Sequence, residues 1–310
     1  MTRLAALVAL PLVVSAAGWR QAAPVPLPRT EVAGARLGSE IVVIAGYTAD
    51  GKSSSRVDAY SPLRNGWRKL PDLPVAVNHA MAASYRGRLY VVGGYGGEVR
   101  ASVFGGGRWR SLPNLPSPRA AAGAAIVGGK LYVVGGVGEL GLARKMLVLD
   151  LRTLRWSSVA GPTPREHLAV TARKGLIYAL AGRESGKGNF NYFESYSPAR
   201  RHWARLPRVP QPRGGTGAAV VGNRIVSVGG EEPRGTIRTV YAYNVSTRSW
   251  RRLPDMRTPR HGLAVVAFGK RVYAIAGGPR PGLFVSGANE YLTLGSELTG
   301  RPGGSHPIRG

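Results

Sequence analysis

The tryptophans of this 310-residue chain stand at Trp19, Trp67, Trp109, Trp156, Trp203 and Trp250, separated by 48, 42, 47, 47 and 47 residues. A period of that size marks a repeat architecture, in which one supersecondary unit recurs and buries its apolar face against its neighbours. Each Trp opens a short stretch that usually ends in a Pro-rich turn, as in GWRKLPDLP from Gly66, RWRSLPNLP from Arg108 and HWARLPRVP from His202. After each Trp comes an aliphatic run closing on Gly-Gly or Ala-Gly: IVVIAG from Ile41, LYVVGG from Leu89 and Leu131, IYALAG from Ile177, IVSVGG from Ile225 and VYAIAG from Val272. A third marker is an alternating segment, such as VDAYSP from Val57, FESYSP from Phe193 and VYAYNV from Val240.

These markers predict four strands per repeat. Strand a is a run of small residues such as AAAGAAIVG from Ala120, strand b is the aliphatic run, strand c alternates, and strand d begins at the Trp. Gly-rich turns separate them, no stretch carries helical periodicity, and 44 Gly with 23 Pro suit a turn-rich all-β chain. A four-stranded unit recurring six times reads as a six-bladed β-propeller with four antiparallel strands per blade. The doublet glycine is expected to let strand b turn tightly and to admit a neighbouring blade's Trp ring close to the backbone. The last repeat ends at ANEYLTL (288–294) with no following Trp, whereas Trp19 starts the chain on a strand d. The N-terminal strand therefore completes the sixth blade and leaves no open sheet edge.

The propeller occupies residues 18–294, and 295–310 reads as a polar, disordered tail. Residues 1–17 read as a signal peptide. A basic Arg3 precedes the apolar run Leu4 to Val14, and the small residues Ser15, Ala16 and Ala17 suit cleavage after Ala17. Leu4 to Ala17 falls short of the roughly 20 residues that span a bilayer, so the expected protein is secreted or extracytoplasmic, without a transmembrane segment after cleavage. The chain has no Cys, which excludes disulfides, thiol nucleophiles and thiolate metal sites.

The Gly-Gly doublet, the spaced aromatic and the strand-d Trp together resemble the Kelch repeat, over about residues 18–294. The stretches PTPREH (162–167), PRGGTGAAVVG (212–222) and PRHGLAVVAFG (259–269) are similar to bacterial secreted Kelch propellers. The resemblance implies a fold shared by binding scaffolds, sugar oxidases and sugar mutarotases, so function has to be argued from a site. The likeness to galactose oxidase covers the propeller only. The copper–radical site of that enzyme needs a Cys bonded to a Tyr, and this chain cannot supply it.

The turn from strand d into strand a carries a recurring basic residue, Arg29, Arg119, Arg165, Arg213 and Arg260, with Asn78 aligned to it in the second repeat. Strand a is innermost, so these side chains are expected to ring one mouth of the central shaft. Guanidiniums about 8 Å apart repel by roughly 2 kcal/mol per pair at an effective dielectric near 20. Glu31, Glu166, Glu231, Glu232, Glu290 or a bound anion would offset that repulsion. Repeats four to six hold most of the ionisable groups, which places a ligand site on their side. Its expected lining is Arg165, His167, Arg183, Arg213, Arg238, Arg260, Asn289 and Glu290. Glu166, Glu232 and His261 are the candidates for proton transfer. Glu232 and Arg238 are similar to the Glu and Arg of bacterial sialic-acid mutarotase propellers, which implies a proton-transfer role for Glu232 and a carboxylate clamp at Arg238. His79, His167 and His261 lie on alternate blades, but this alignment gives His167 the opposite parity from the other two. No metal site and no cofactor are expected.

The formal net charge is +27, from 43 Lys and Arg against 16 Asp and Glu. Such a surface attracts polyanions. The aromatics belong to the repeat, so no specific nucleic-acid readout is expected. The leading expectation is a monomeric binding module for an acidic glycan, a sugar acid or an extracellular protein, acting through an Arg-lined loop face. The alternative is a sugar or sugar-acid isomerase or mutarotase, which requires Glu166, Glu232 and His261 to converge on one substrate-sized void.

Overall fold

Alternation and turn chemistry fold each repeat into one four-stranded antiparallel sheet. The computed structural model describes residues 18–295. The expected signal peptide and residues 296–310 of the expected tail lie outside the described residues. Blade I runs Ala33–Leu37, Glu40–Ile44, Val57–Ser61 and Gly66–Lys69, in that order from inner strand a to outer strand d. Blade II (Met81 to Ser111), blade III (Gly123 to Ala160), blade IV (Ala169 to Arg205) and blade V (Gly217 to Leu253) repeat the order. In blades III, IV and V the b–c connection adds a short hairpin, Val137–Gly138 with Gly141–Leu142, Arg183–Glu184 with Gly188–Asn189, and Glu231–Glu232 with Gly235–Thr236. Among the described residues there is no helix, and none that could cross a membrane.

Blade VI takes three strands from the end of the chain, Ala264–Phe268, Arg271–Ile275 and Asn289–Thr293, and its fourth from the beginning. Arg20–Gln21 pairs antiparallel with the third, Arg20 opposite Tyr291 and Gln21 opposite Glu290. The closure expected from Trp19 is thus the one observed.

The core lies between blades. Strand b is apolar on both faces because each face packs on a neighbouring sheet, and Ile41, Val42, Val43 and Ile44 have no exposed surface. The tryptophans act as staples rather than as rings laid on the glycine doublets. Trp67, Trp109, Trp156, Trp203 and Trp250 donate their indole N–H to the carbonyls of Ala23, Pro71, Pro113, Ala160 and Pro207, each at or just past the end of strand d of the preceding blade, at 2.8 or 2.9 Å. Trp19 of blade VI donates to Pro254 of blade V at 2.8 Å, which makes the set circular.

The close approach to the doublet is made by the backbone of the following blade. Gly93 has φ +60°, and a Cβ there would lie 2.2 Å from the carbonyl oxygen of Arg119. The second doublet residue, Gly94, donates its N–H to that same oxygen at 2.8 Å.

Candidate functional site

Each turn into strand a contributes three consecutive residues to the propeller mouth: Arg29-Thr30-Glu31, Val77-Asn78-His79, Arg119-Ala120-Ala121, Arg165-Glu166-His167, Arg213-Gly214-Gly215 and Arg260-His261-Gly262. The carbonyl of the first residue accepts the N–H of the preceding blade's Gly, from Gly277, Gly46, Gly94, Gly136, Gly182 and Gly230 respectively, at 2.8 or 2.9 Å. This contact fixes the alignment of the six turns. It puts Val77, not Asn78, in the arginine register, which corrects the expectation for blade II by one residue.

The second residue of each turn bridges to the b–c connection of its own blade, as Glu166 does with Arg183, Gly214 with Glu231 and Asn78 with Tyr95. The third residues bond to one another. The N–H of His79 donates to Glu31, Ala121 to His79, His167 to Ala121, Gly215 to His167 and Gly262 to Gly215, at 2.8 to 3.1 Å, and Val32 returns to Gly262 at 3.1 Å. This closed backbone ring holds Glu31, His79 and His167 at φ +52° and Ala121 at +50°. Non-glycine residues in that region are uncommon, and they concentrate at functional sites. The shared conformation directs the third residues into one central cavity of about 90 Å³, lined by Glu31, His79, Ala121, His167, Gly215 and Gly262 among others.

With Asn78 moved out of the arginine register, His79 and His167 are equivalent residues of alternate blades. The opposite parity expected for them came from the misplaced Asn78. Their Nε2 atoms are 3.0 Å apart. His79 Nε2 lies 3.2 Å and His167 Nε2 3.9 Å from Glu31 Oε2, while Glu31 Oε1 meets His261 Nδ1 at 3.0 Å. Arg183 joins the cluster from the b–c hairpin of blade IV. It bonds Glu231, reaches Glu166 Oε1 at 3.3 Å and points Nη2 at His167 Nε2 at 3.3 Å. Tyr47 and Tyr95 set their rings edge-on to His79 at centroid distances of 5.8 and 5.3 Å.

Electrostatics follow from burial and contact. Burial alone would raise the Glu31 carboxyl, but His79, His261 and His167 together hold it well below the usual carboxylate range. Burial pulls His79 down to about 4 against the opposing pull of Glu31. For His261 burial is outweighed by Glu31, Glu231 and the Arg280 carbonyl, and its affinity for a proton rises. Glu166 is lowered, since His167 and Arg183 overcome its desolvation.

The arginines do not line this mouth. Arg29, Arg165, Arg213 and Arg260 have no exposed surface and Arg119 has 4%. Each folds back into its own blade, where it meets carbonyl oxygens and, in three cases, a strand-c acid: Arg29 with Asp58 at 2.6 Å, Arg165 with Glu194 at 2.5 Å and Arg260 with Glu290 at 3.1 Å. Arg213 lies against the Tyr241 ring at 5.2 Å and bonds the Thr239 carbonyl at 2.9 Å. Burial pulls Arg29 and Arg213 down to about 10. Mutual repulsion at the shaft is thus absent, and no anion is required to offset it. Arg165, Arg213, Arg260 and Glu290 are internal braces, and Asn289 is another, donating to the Ala23 carbonyl at 3.0 Å. The recurring acid at the second residue of strand c (VDAYS, FESYS, NEYLT) was a readable sign of this pairing.

Of the other expected site residues, Glu166, His167, Arg183 and His261 converge at the mouth, joined by Glu31, His79 and Glu231. Glu232 and Arg238 do not join them. Both are exposed, and Glu232 accepts from Gln211 Nε2 at 2.6 Å. The three proton-transfer candidates therefore do not share a void. The cavity beside His167 is also well below the roughly 300 Å³ at which small-molecule pockets begin.

Family models agree with the repeat reading. Residues 107–278 match the KLHDC2/KLHL20/DRC7 Kelch-repeats domain, and residues 28–74 match the Kelch motif. Kelch-like protein terF of Aspergillus terreus is 28% identical over 233 residues, 67% of this chain and 51% of that protein. Kelch-like protein 34 of Homo sapiens is 30% identical over 68% of this chain and 36% of its own length. Alpha-scruin of Limulus polyphemus is 26% identical over 55% of this chain and 15% of its own. The matched region spans no more than about half the length of these relatives.

Proposed function

Because the chain belongs to the Kelch-repeat family of β-propellers, whose members typically serve as protein-interaction modules, we propose that it is a secreted interaction module whose loop face binds an acidic polypeptide. The observation that carries this reading is a groove of about 540 Å³ between the b–c connections of blades III and IV. Leu140 stands at its edge, 99% exposed. Phe190 and Tyr192 line it as a stacked pair, with centroids 4.8 Å apart and planes at 23°. Arg144 is exposed on its wall, and Arg208 lies over the Tyr192 ring at 5.3 Å. An exposed apolar tip beside stacked aromatics and unburied guanidiniums suits a peptide that carries both an apolar anchor and carboxylates.

Charge distribution supports the same polarity. Asp58, Glu166, Glu194, Glu231 and Glu290 are turned inward, whereas Arg108, Arg110, Arg205 and Arg251 of the outer strands are exposed. Export is the other half of the proposal, supported by the apolar run Leu4 to Val14 followed by small residues.

A display library of acidic and neutral peptides screened against the purified chain tests the partner. Acidic peptides with an apolar anchor should be enriched, and L140D or the pair R144E and R208E should weaken them at least tenfold. Equal binding of an acidic polysaccharide to wild type and L140D, with no peptide enriched, would overturn it. N-terminal sequencing of the exported protein should begin at Gly18.

A further inference from the structure

The centre of the mouth is chemically unlike the groove and is independent of the partner reading. His79 Nε2, His167 Nε2 and Glu31 Oε2 point at one another with separations of 3.0, 3.2 and 3.9 Å. The tautomer of His79 is set from behind. Asn78 donates its amide N–H to Ser53 Oγ at 2.7 Å, so its Oδ1 is left to accept from His79 Nδ1 at 2.5 Å. His79 therefore presents a lone pair at Nε2. His167 points its Nε2 at the Arg183 donor at 3.3 Å, and its Nδ1 is buried 3.5 Å from Glu166 Oε2. Two imidazole lone pairs and a carboxylate oxygen converge with nothing cationic at their common centre.

We propose that Glu31, His79 and His167 bind one divalent transition-metal ion, of which Zn²⁺ fits best. The donor set is two imidazole nitrogens and a carboxylate oxygen, which suits zinc rather than calcium or magnesium. A triangle with the three observed sides has a circumradius of about 2.0 Å, so an ion at the usual Zn–N and Zn–O lengths of roughly 2.0–2.2 Å sits just off its plane, as the centre of a tetrahedral site lies off the plane of three of its ligands. The cavity of about 90 Å³ leaves room for water on the open side, since one water takes about 30 Å³. Asn78 supplies the outer partner that orients the His79 imidazole, and Glu166 Oε2 stands 3.5 Å from His167 Nδ1. Charge points the same way, because the three carboxylates Glu31, Glu166 and Glu231 face one guanidinium, Arg183, and one imidazole that pairs with them, His261, within the cluster. On ion entry Arg183 keeps its two carboxylate partners and gives up only its contact with His167.

The test uses the tag-free chain, stripped with a chelator, then titrated with Zn²⁺ by calorimetry and with Co²⁺ by visible absorption. One equivalent of Zn²⁺ should bind, Co²⁺ should give the intense d–d bands of a four-coordinate site, and the melting temperature should rise. H79N and H167N should each lower Zn²⁺ affinity by roughly 100-fold or more, and N78A by about 10- to 100-fold through loss of the outer bond. Asn is chosen at the two ring positions because it tolerates positive φ, and circular dichroism checks that the variants fold. H202N, at an exposed outer-strand histidine, should leave binding unchanged. No Co²⁺ band in the folded wild-type chain, or Zn²⁺ binding untouched by H79N and H167N, would overturn the assignment.

Discussion

The indole of Trp19 reaches the carbonyl of Pro254 at 2.8 Å across 235 positions of sequence. Through this bond the N-terminal strand of the propeller latches blade VI onto blade V. Trp19 is 4% exposed, whereas the other five staples are only half-buried. Its strand, Arg20–Gln21, is just two residues long, so the side chain supplies much of what holds this edge. Truncation of a buried Trp costs about 3–5 kcal/mol. W19A should therefore lower unfolding stability by that amount in urea, and W109A by visibly less. Equal losses would show that the latch is no more important than the other staples.

Buried arginines make a second prediction, and the blades differ in it. Arg165 and Glu194 are an ion pair with almost no exposed surface, and Thr163 also donates to the carboxylate. Removing one member leaves a buried charge unpaired, so R165M should cost about 3–5 kcal/mol, and the double variant R165M/E194L should recover most of it. Blade II already has the apolar solution, with Val77 in the arginine register. In blade III Leu147 occupies the strand-c position that the acid holds in blades I, IV and VI. Arg119 there has 3.5 Å contacts to the Gly135 and Lys145 carbonyls and one 3.2 Å bond to Ser117 Oγ, but no carboxylate, and its Nε is unpartnered. R119M should be neutral within about 1 kcal/mol, or stabilising. Urea unfolding of the three variants separates these outcomes.

What the sequence disclosed, and what it hid, follows from the same contacts. The Trp period and the Gly doublets are geometric necessities of every blade, so they recur in register, and the count of six and the closure by Trp19 could be read from them. The mouth could not be read as well, because its register rests on a carbonyl–amide contact that any residue can make. Val77 makes it without an arginine, and that one replacement shifted the second turn by one residue and concealed the equivalence of His79 and His167. Turn arginines also read as exposed charges. Only their recurring strand-c partners, Asp58, Glu194 and Glu290, reveal that they point inward.

Alkaline titration should expose the interface between blades I and VI. Tyr60 is buried, donates to Asn65 Oδ1 at 2.7 Å, and packs against Trp67 and Tyr273. Burial, followed by the neighbouring Tyr273 and Tyr291 hydroxyls, pushes Tyr60 up to about 12, with Arg271 pulling the other way. The unfolded chain releases this proton near pH 10, so between about pH 10 and 12 it binds fewer protons than the folded chain. The contribution of Tyr60 is whole below pH 10 and is lost as pH rises toward 12. Stability of wild type should fall across that window, and Y60F should fall less steeply. Parallel curves for the two proteins would refute the assignment.

Glycine at position 262 is required by its neighbour as much as by its backbone. It has φ +57°, and a methyl there would lie 2.5 Å from Glu31 Oε1, the oxygen that holds His261 at 3.0 Å. Gly106 gives the matched control, with φ +60° and open space where its Cβ would stand. Both G106A and G262A bear the left-handed backbone penalty of about 1–2 kcal/mol. Only G262A must also push the Glu31 carboxylate from its place between the histidines, which adds a further loss of about 1–3 kcal/mol for a buried charge-assisted bond. The difference between the two unfolding curves thus measures the clash with Glu31, whose carboxylate holds His261 and whose backbone nitrogen would also lie 2.7 Å from the added methyl. If the two variants lose the same stability, Gly262 serves the backbone ring and not the carboxylate.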